Sequence, residues 1–278
     1  MTSAPARGTD PDEPLAIAAI QQHGVTVDAV DWEDPSVRWD SYDRAVLRSP
    51  WNYQARPAEF LDWLTRVERL VEVRNPAAAV RWSLDKRYLG DLAAAGVPVI
   101  DTQFVGPGDS ASPTGDAWVV KPSIGAGSSD VAVFRAGQEE PSQQHIAYLH
   151  RRGLTALVQP LVRSVTNEGE WPMVFFDGAF SHSANKFVRL QGVGDEERLF
   201  AREDNVPHRA NTTQIAVATQ AMHAVQQRFG PLTYARVDLV RDDHDGYLVL
   251  EVEIFEPSLF LPEGGPGAVE RCAAALIA

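Results

Sequence analysis

Lysine is nearly absent from this chain. Of 25 Lys and Arg residues, only Lys86, Lys121 and Lys186 are lysines. Arginine carries nearly all the positive charge, so each remaining lysine is a candidate for work that a guanidinium does badly. A compact ammonium meeting phosphate oxygens as a point charge is such work. Cysteine is scarcer still. The single Cys272 excludes an internal disulfide or a cysteine zinc cluster, and it reads as a buried helix residue. Positive charge is outnumbered, leaving a formal net charge of -13. That argues against a nucleic-acid or anionic-membrane surface, which needs a basic footprint. No apolar run approaches a membrane span, and residues 1–14 hold no apolar segment of signal-peptide type. A cytoplasmic protein is expected.

What is present has mixed periodicity. Residues 1–103 read as an α/β unit, with helices over 15–24, 55–71 and 84–95 and short strands over 25–30, 45–47 and 97–100. No apolar strand precedes Asp10. The first strand of an open α/β sheet is therefore expected to be missing, as if the start were set too far downstream. Residues 104–116, rich in Gly, Pro, Ser and Asp, read as a linker. Strands over 118–121, 131–134 and 157–162 and a helix over 143–152 make 104–162 a small α+β unit. Residues 163–278 form a third unit. It holds a hairpin around Asp177-Gly178, a long polar loop over 191–209, a helix over 212–229 capped by Asn211 or Thr212 and stopped by Gly230, and strands over 234–240 and 247–255.

Three motifs carry chemistry. In one, Val158-Gln159-Pro160-Leu161-Val162, a strand leads into a short linker where an adenine ring could sit against backbone N–H and C=O groups; a plain strand end is the alternative. Val119-Val120-Lys121-Pro122 delivers a lysine to the loop Ser123-Ile124-Gly125-Ala126-Gly127-Ser128-Ser129. Small residues there let backbone N–H groups approach an anion closely. It is neither a Walker loop nor a dinucleotide fingerprint. An ordinary flexible loop explains it equally well when taken alone. In the last strand pair, Arg236 and Asp238 share one face, as do Glu251 and Glu253. Pairing Val240 with Tyr247 sets Arg236 opposite Glu251 and leaves Val237, Leu239, Leu250 and Val252 on the other face. A one-residue slip would separate the charges. Such carboxylates suit Mg²⁺, which takes one or two of them plus substrate phosphates; the alternative is a solvated sheet face with a structural ion pair.

The order of these pieces resembles the ATP-grasp superfamily: a lysine on a helix, a lysine on a strand, a glycine-rich loop, a hinge strand, then late acidic strands. Arg48-Ser49-Pro50-Trp51-Asn52-Tyr53, Arg81-Trp82-Ser83-Leu84-Asp85-Lys86, Phe180-Ser181-His182 and Glu256-Pro257-Ser258-Leu259-Phe260 resemble the branch containing O-ureido-D-serine cyclo-ligase. The resemblance implies an N-terminal α/β domain (1–103), a small lid subdomain (104–162) and a C-terminal antiparallel-sheet domain (163–278). It implies ATP and Mg²⁺, and a small amino-acid substrate whose carboxylate is activated for attack by nitrogen. It also implies roles for residues. Lys86 and Lys121 hold phosphates, with Ser123, Gly125, Gly127 and Ser128 in the loop over them. Gln159 and Val162 flank the adenine. Asp238, Glu251 and Glu253 bind metal. Glu170, His182 and Lys186 lie on the phosphate or substrate side, and Arg236 faces the transferring phosphate. Arg48, Trp51 and Ser258 contact substrate, Arg48 through its carboxylate. Family analogy allows a monomer or homodimer. A phosphotransferase and a non-catalytic ATP-binding module remain as alternatives.

Overall fold

The computed structural model describes residues 1–127, 129–188 and 203–278. Ser128, Arg198 and Arg202 lie outside the described residues. In the first part, α1 (Asp12–Gln22), β1 (Arg44–Val46), α2 (Pro57–Val67), β2 (Glu72–Arg74), α3 (Ala77–Ser83) and α4 (Tyr88–Ala94) follow one another. The middle holds β3 (Gln103–Val105), β4 (Ala117–Pro122), β5 (Ala132–Arg135), α5 (Glu139–Arg151) and β6 (Ala156–Pro160). Then come α6 (Arg163–Asn167), β7 (Trp171–Phe176), β8 (Ala179–Val188), β9 (Glu203–His208), α7 (Thr212–Phe229), β10 (Tyr234–Arg241) and β11 (Tyr247–Glu253). The chain closes with α8 (Leu261–Gly264) and α9 (Pro266–Ile277).

Several expectations of the first part need correction. Residues 25–30 form no strand, and 97–100 contribute only a bridge from Val99 to Val249. β1 and β2 form a parallel pair, and Thr2 makes parallel bridges to Asp31 and Ser49. The helix expected over 84–95 is broken. Asp85 accepts the backbone N–H of Arg87 at 3.0 Å, a local bond that competes with helix. Lys86 therefore sits in the turn between α3 and α4, its N–H tied to Ser123 O at 2.7 Å.

The middle part is a four-stranded sheet in the order β3-β6-β4-β5. Trp118, Val120 and Phe134 pack on Ile146 and Leu149 of α5. Strand alternation sends Val119 and Lys121 to the opposite face. The last part is a five-stranded antiparallel sheet, β11-β10-β7-β8-β9. Asp177 (φ 48°) and Gly178 (φ 76°) make the expected tight turn between β7 and β8. Asn211 and Gln214 form a reciprocal capping box on α7. The long loop expected over 191–209 is partly strand, since β9 pairs with β8 from 203 to 208.

One face of this sheet packs Met173, Phe175, Val237 and Val252 on α7. The other face is divided. At one end Val174, Phe176 and Tyr234 pack on α1 and α9, where Cys272 is fully buried. Burial pushes the Cys272 thiol up to about 12, so it is unreactive. At the other end stand the charges of β10 and β11.

Their register differs from expectation. Arg241 pairs with Tyr247 and Val240 with Leu248, and the register then shifts between Asp238 and Leu239. Arg236 therefore faces Glu253, and Asp238 faces Glu251. Across the shift, Val249 and Val252 enter the core while Leu250 lines a cavity. The extra residue of a bulge reverses alternation locally, which a strict period of two cannot anticipate.

Candidate active site

A cavity of about 400 Å³ runs between the two sheets. Val119 of β4, Leu250 of β11 and the segment 159–162 line it together as an apolar slot. The Gln159 side chain is tied back, donating to Thr102 Oγ1 at 2.8 Å.

Next to the slot stand the three lysines. Lys86 Nζ donates to Gly125 O at 2.6 Å and pairs with Glu251 at 2.8 Å. Burial would lower this ammonium, but Glu251 and Glu256 hold it above its ordinary value. Lys186 Nζ lies 2.7 Å from Glu170 and 3.5 Å from Asp238. Lys121 is 9% exposed. Among the described residues nothing gives its ammonium a hydrogen bond or an ion pair within 4.0 Å. Burial pulls it below its ordinary value, with Glu251 opposing. A buried cation facing a cavity without a counter-ion fits an anionic ligand.

Arg236 is the hub of the acidic face. Its guanidinium meets both Asp238 oxygens, at 2.7 and 2.8 Å, and Glu253 at 2.5 Å. Burial would raise Asp238, yet Arg236 and Lys186 hold it below its ordinary value. Burial pushes Glu253 up to about 7; Arg236 opposes this, and Glu251 and Asp238 add to it. Among the described residues no three His, Cys, Asp or Glu side chains converge into a ready metal site. Glu251 is held by Lys86, and Asp238 and Glu253 by Arg236. The donor set still fits Mg²⁺, which needs only one or two carboxylates beside phosphate oxygens. The crowding that raises Glu253 is the kind a divalent cation relieves.

The far wall is the strap after β11. Its carbonyls are held in sequence. Trp51 Nε1 donates to Glu256 O at 2.9 Å, Arg48 Nη2 to Pro257 O at 3.0 Å and Arg236 Nη1 to Ser258 O at 3.1 Å. His182 Nε2 donates to Leu259 O at 2.8 Å. Asp12 accepts from Leu259 N at 2.5 Å and Leu261 N at 2.8 Å. These contacts hold Phe260 in a left-handed backbone, φ 50°, which costs a non-glycine residue about 1–3 kcal/mol. Its ring lies 5.4 Å from the Arg236 guanidinium. Asp12→Ala leaves two buried N–H groups unpaired. It is expected to destabilise the fold by about 2–4 kcal/mol and to raise substrate KM more than ATP KM; equal stability by thermal unfolding would refute this role for Asp12.

Lys86, Lys121, Gly125, Gly127, Gln159 and Val162 share the cavity wall with Glu170, Lys186, Arg236, Glu251 and Glu253. Trp51 and Ser258 also line it. Four expected residues stand behind the wall. Ser123 is buried, its N–H bonded to Thr155 O at 2.9 Å. Asp238 is 1% exposed beneath Arg236. Arg48 and His182 hold the strap and are not among the residues that line the cavity. Sequence reading missed Asp12, Gln54, Glu256 and Glu263. Gln54 accepts Ala126 N at 2.6 Å, tethering the glycine loop. Glu256 lies inside a quoted motif, yet nothing local marks its bond from Tyr53 at 2.5 Å.

Comparison with solved structures places the fold. The D-alanine–D-alanine ligase of Bacillus anthracis superposes with a TM-score of 0.69 over 96% of this chain and 90% of that one, at 16% identity. The ATP-grasp ligase PsnB with its minimal precursor gives 0.64 over 99% and 97%, at 15% identity. Fold and cavity together define an ATP-grasp ligase. The crystal structure of D-cycloserine synthetase DcsG superposes with a TM-score of 0.91 over 99% of this chain and 96% of that one, at 38% identity. The cycloserine biosynthesis protein DcsG of Streptomyces lavendulae is 39% identical over 97% of this chain and 94% of its own length. The N-terminal domain family of D-cycloserine synthetase DcsG matches residues 1–75. The chain belongs to the D-cycloserine synthetase DcsG family.

Proposed function

We propose that this ATP-dependent ligase activates the carboxylate of O-ureido-D-serine and closes it into the D-cycloserine ring. The observation that carries the reading is the convergence of Lys86, Lys121, Lys186 and Arg236 on one cavity that also holds an apolar slot and the strap. The carboxylate oxygen attacks the γ-phosphorus of ATP, the bond to the β-phosphate oxygen breaks, and ADP leaves. The ureido nitrogen bonded to oxygen gives up its proton and attacks the acyl carbon, phosphate leaves, and water then releases the carbamoyl group from the ring nitrogen as carbon dioxide and ammonia.

Lys86 and Lys121 hold the phosphates, and the loop through Gly125 and Gly127 covers them. Lys186, oriented by Glu170, and Arg236 offset the charge of the transferring group, because phosphoryl transfer is mainly positioning and electrostatics. Gln159 and Val162 flank the adenine. Asp238, Glu251 and Glu253 would hold Mg²⁺, which supplies charge neutralisation at phosphate oxygens. Trp51 and Ser258 contact the substrate. A covered site keeps water from the acyl phosphate.

We also read three units, 1–103, 104–162 and 163–278, a cytoplasmic location and a monomer or homodimer. Among the described residues no helix is long and apolar enough to cross a membrane.

The test is ADP release with O-ureido-D-serine in the presence of Mg²⁺, with the cyclised product measured alongside. Chelation by EDTA is expected to abolish release, and excess Mg²⁺ to restore it. Hydroxylamine is expected to trap a hydroxamate. A stable phosphorylated product without hydroxamate would instead establish a phosphotransferase. Release only with other carboxylates would discard the cycloserine substrate.

A further inference from the structure

The strap turns every carbonyl from Glu256 to Leu259 toward a protein donor. A ligand against this wall is therefore read by side chains rather than backbone. The acidic groups of the cavity are nearly all engaged. Glu170 is paired with Lys186, Glu251 with Lys86 and Glu253 with Arg236, while both Asp12 oxygens accept strap N–H groups. Glu256 accepts from Tyr53, and its other oxygen is sealed from solvent.

Glu263 is different. It lines the cavity and is half-buried, and among the described residues its carboxylate has neither a hydrogen bond nor an ion pair. It follows Phe260 by three residues, and Gly264 N donates to Phe260 O at 2.9 Å. Phe260 stacks over Arg236, and Glu263, Phe260, Ser258 and Arg236 line the same cavity.

We infer that Glu263 receives the cationic α-amino group of the substrate, making it a specificity-determining residue for amino acids over plain carboxylic acids. An amino acid presents its carboxylate and ammonium from one carbon. With the carboxylate drawn to the cationic end at Arg236 and Lys186, the ammonium needs an anion close by along the wall. Glu263 is the unengaged cavity carboxylate there. Thr9, Pro11 and Trp51 also line the cavity, adding bulk without positive charge. The inference rests on the proposed ligase reading.

The test compares wild type with Glu263→Gln on two compounds: O-ureido-D-serine and the analogue with hydrogen in place of its α-amine, O-ureido-3-hydroxypropanoate. For wild type the amine is expected to improve kcat/KM by about 10- to 100-fold, the range of a hydrogen bond to a charged group. Glu263→Gln is expected to lose that preference through KM for the amino acid, leaving kcat within a few-fold and KM for ATP unchanged. Glu263→Asp is expected to keep part of it. A Glu263→Gln enzyme that still favours the amine as strongly as wild type overturns the assignment alone. No ADP release by wild type with any small amino acid overturns the ligase reading, and this inference with it.

Discussion

Lys121→Ala is expected to abolish ADP release, by about 10³-fold or more, without loosening the protein. The two halves of this expectation share one cause. The Lys121 ammonium is buried, has no counter-ion within 4.0 Å among the described residues, and is held below its ordinary value by desolvation. A buried charge without a partner destabilises the state that holds it. Removing it should leave the unfolding midpoint unchanged or higher in the absence of ATP. The phosphates of ATP supply the missing partner, so the variant should also lose most of the thermal shift that ATP gives wild type. Arginine should not rescue it, because a planar fork does not fit a slot shaped for an ammonium. Turnover near the wild-type rate would remove Lys121 from the site.

Arg236→Ala is expected to act in the opposite way on stability and equally strongly on activity. It strips Asp238 and Glu253 of their guanidinium and frees Ser258 O. Removing one partner of a buried ion pair costs about 3–5 kcal/mol, which for a chain of this size lowers the unfolding midpoint by about 6–15 °C. The loss should depend on pH with a definite sign. Glu253 already stands at about 7 with Arg236 present and rises further above its unfolded value without it, while Asp238, held below its ordinary value by Arg236 and Lys186, rises as well. The folded variant then binds more protons than the unfolded chain, so its stability falls as pH rises through those values and recovers as pH falls. Thermal unfolding between pH 5 and 8 checks this. A destabilisation that is the same at every pH would mean that lost packing, not uncompensated charge, is responsible.

Much of the site was legible because the signals are local. Three surviving lysines, a strand feeding a glycine loop, and acidic residues two apart on late strands can each be read within a short window. All three lysines do line one cavity. The Asp177-Gly178 turn and the Asn211 cap were readable for the same reason: backbone geometry there is dictated by one or two residues.

Where the reading fell short, the deciding partner was distant in sequence. Arg48 carries the charge expected of a carboxylate binder, yet Pro257 O claims it from 209 positions away. His182 is claimed by Leu259 O. Asp12 carries no signal in the sequence, and only folding places it on the N–H groups of Leu259 and Leu261. The shift in the β10–β11 pairing moved Leu250 from core to cavity and re-paired Arg236 with Glu253, because a bulge is set by how a strand meets its neighbour.

The sequence by itself thus determined which chemical groups are available: ammonium groups for phosphate, carboxylates for a hard cation, and glycines for close approach. These follow from residue type and short spacing. Only the tertiary structure decided which charges neutralise one another, which are left facing the cavity, and which wall the substrate meets. Those outcomes depend on contacts between different segments of the chain, several of them more than 100 residues apart, whose energies arise when burial removes water from both partners at once.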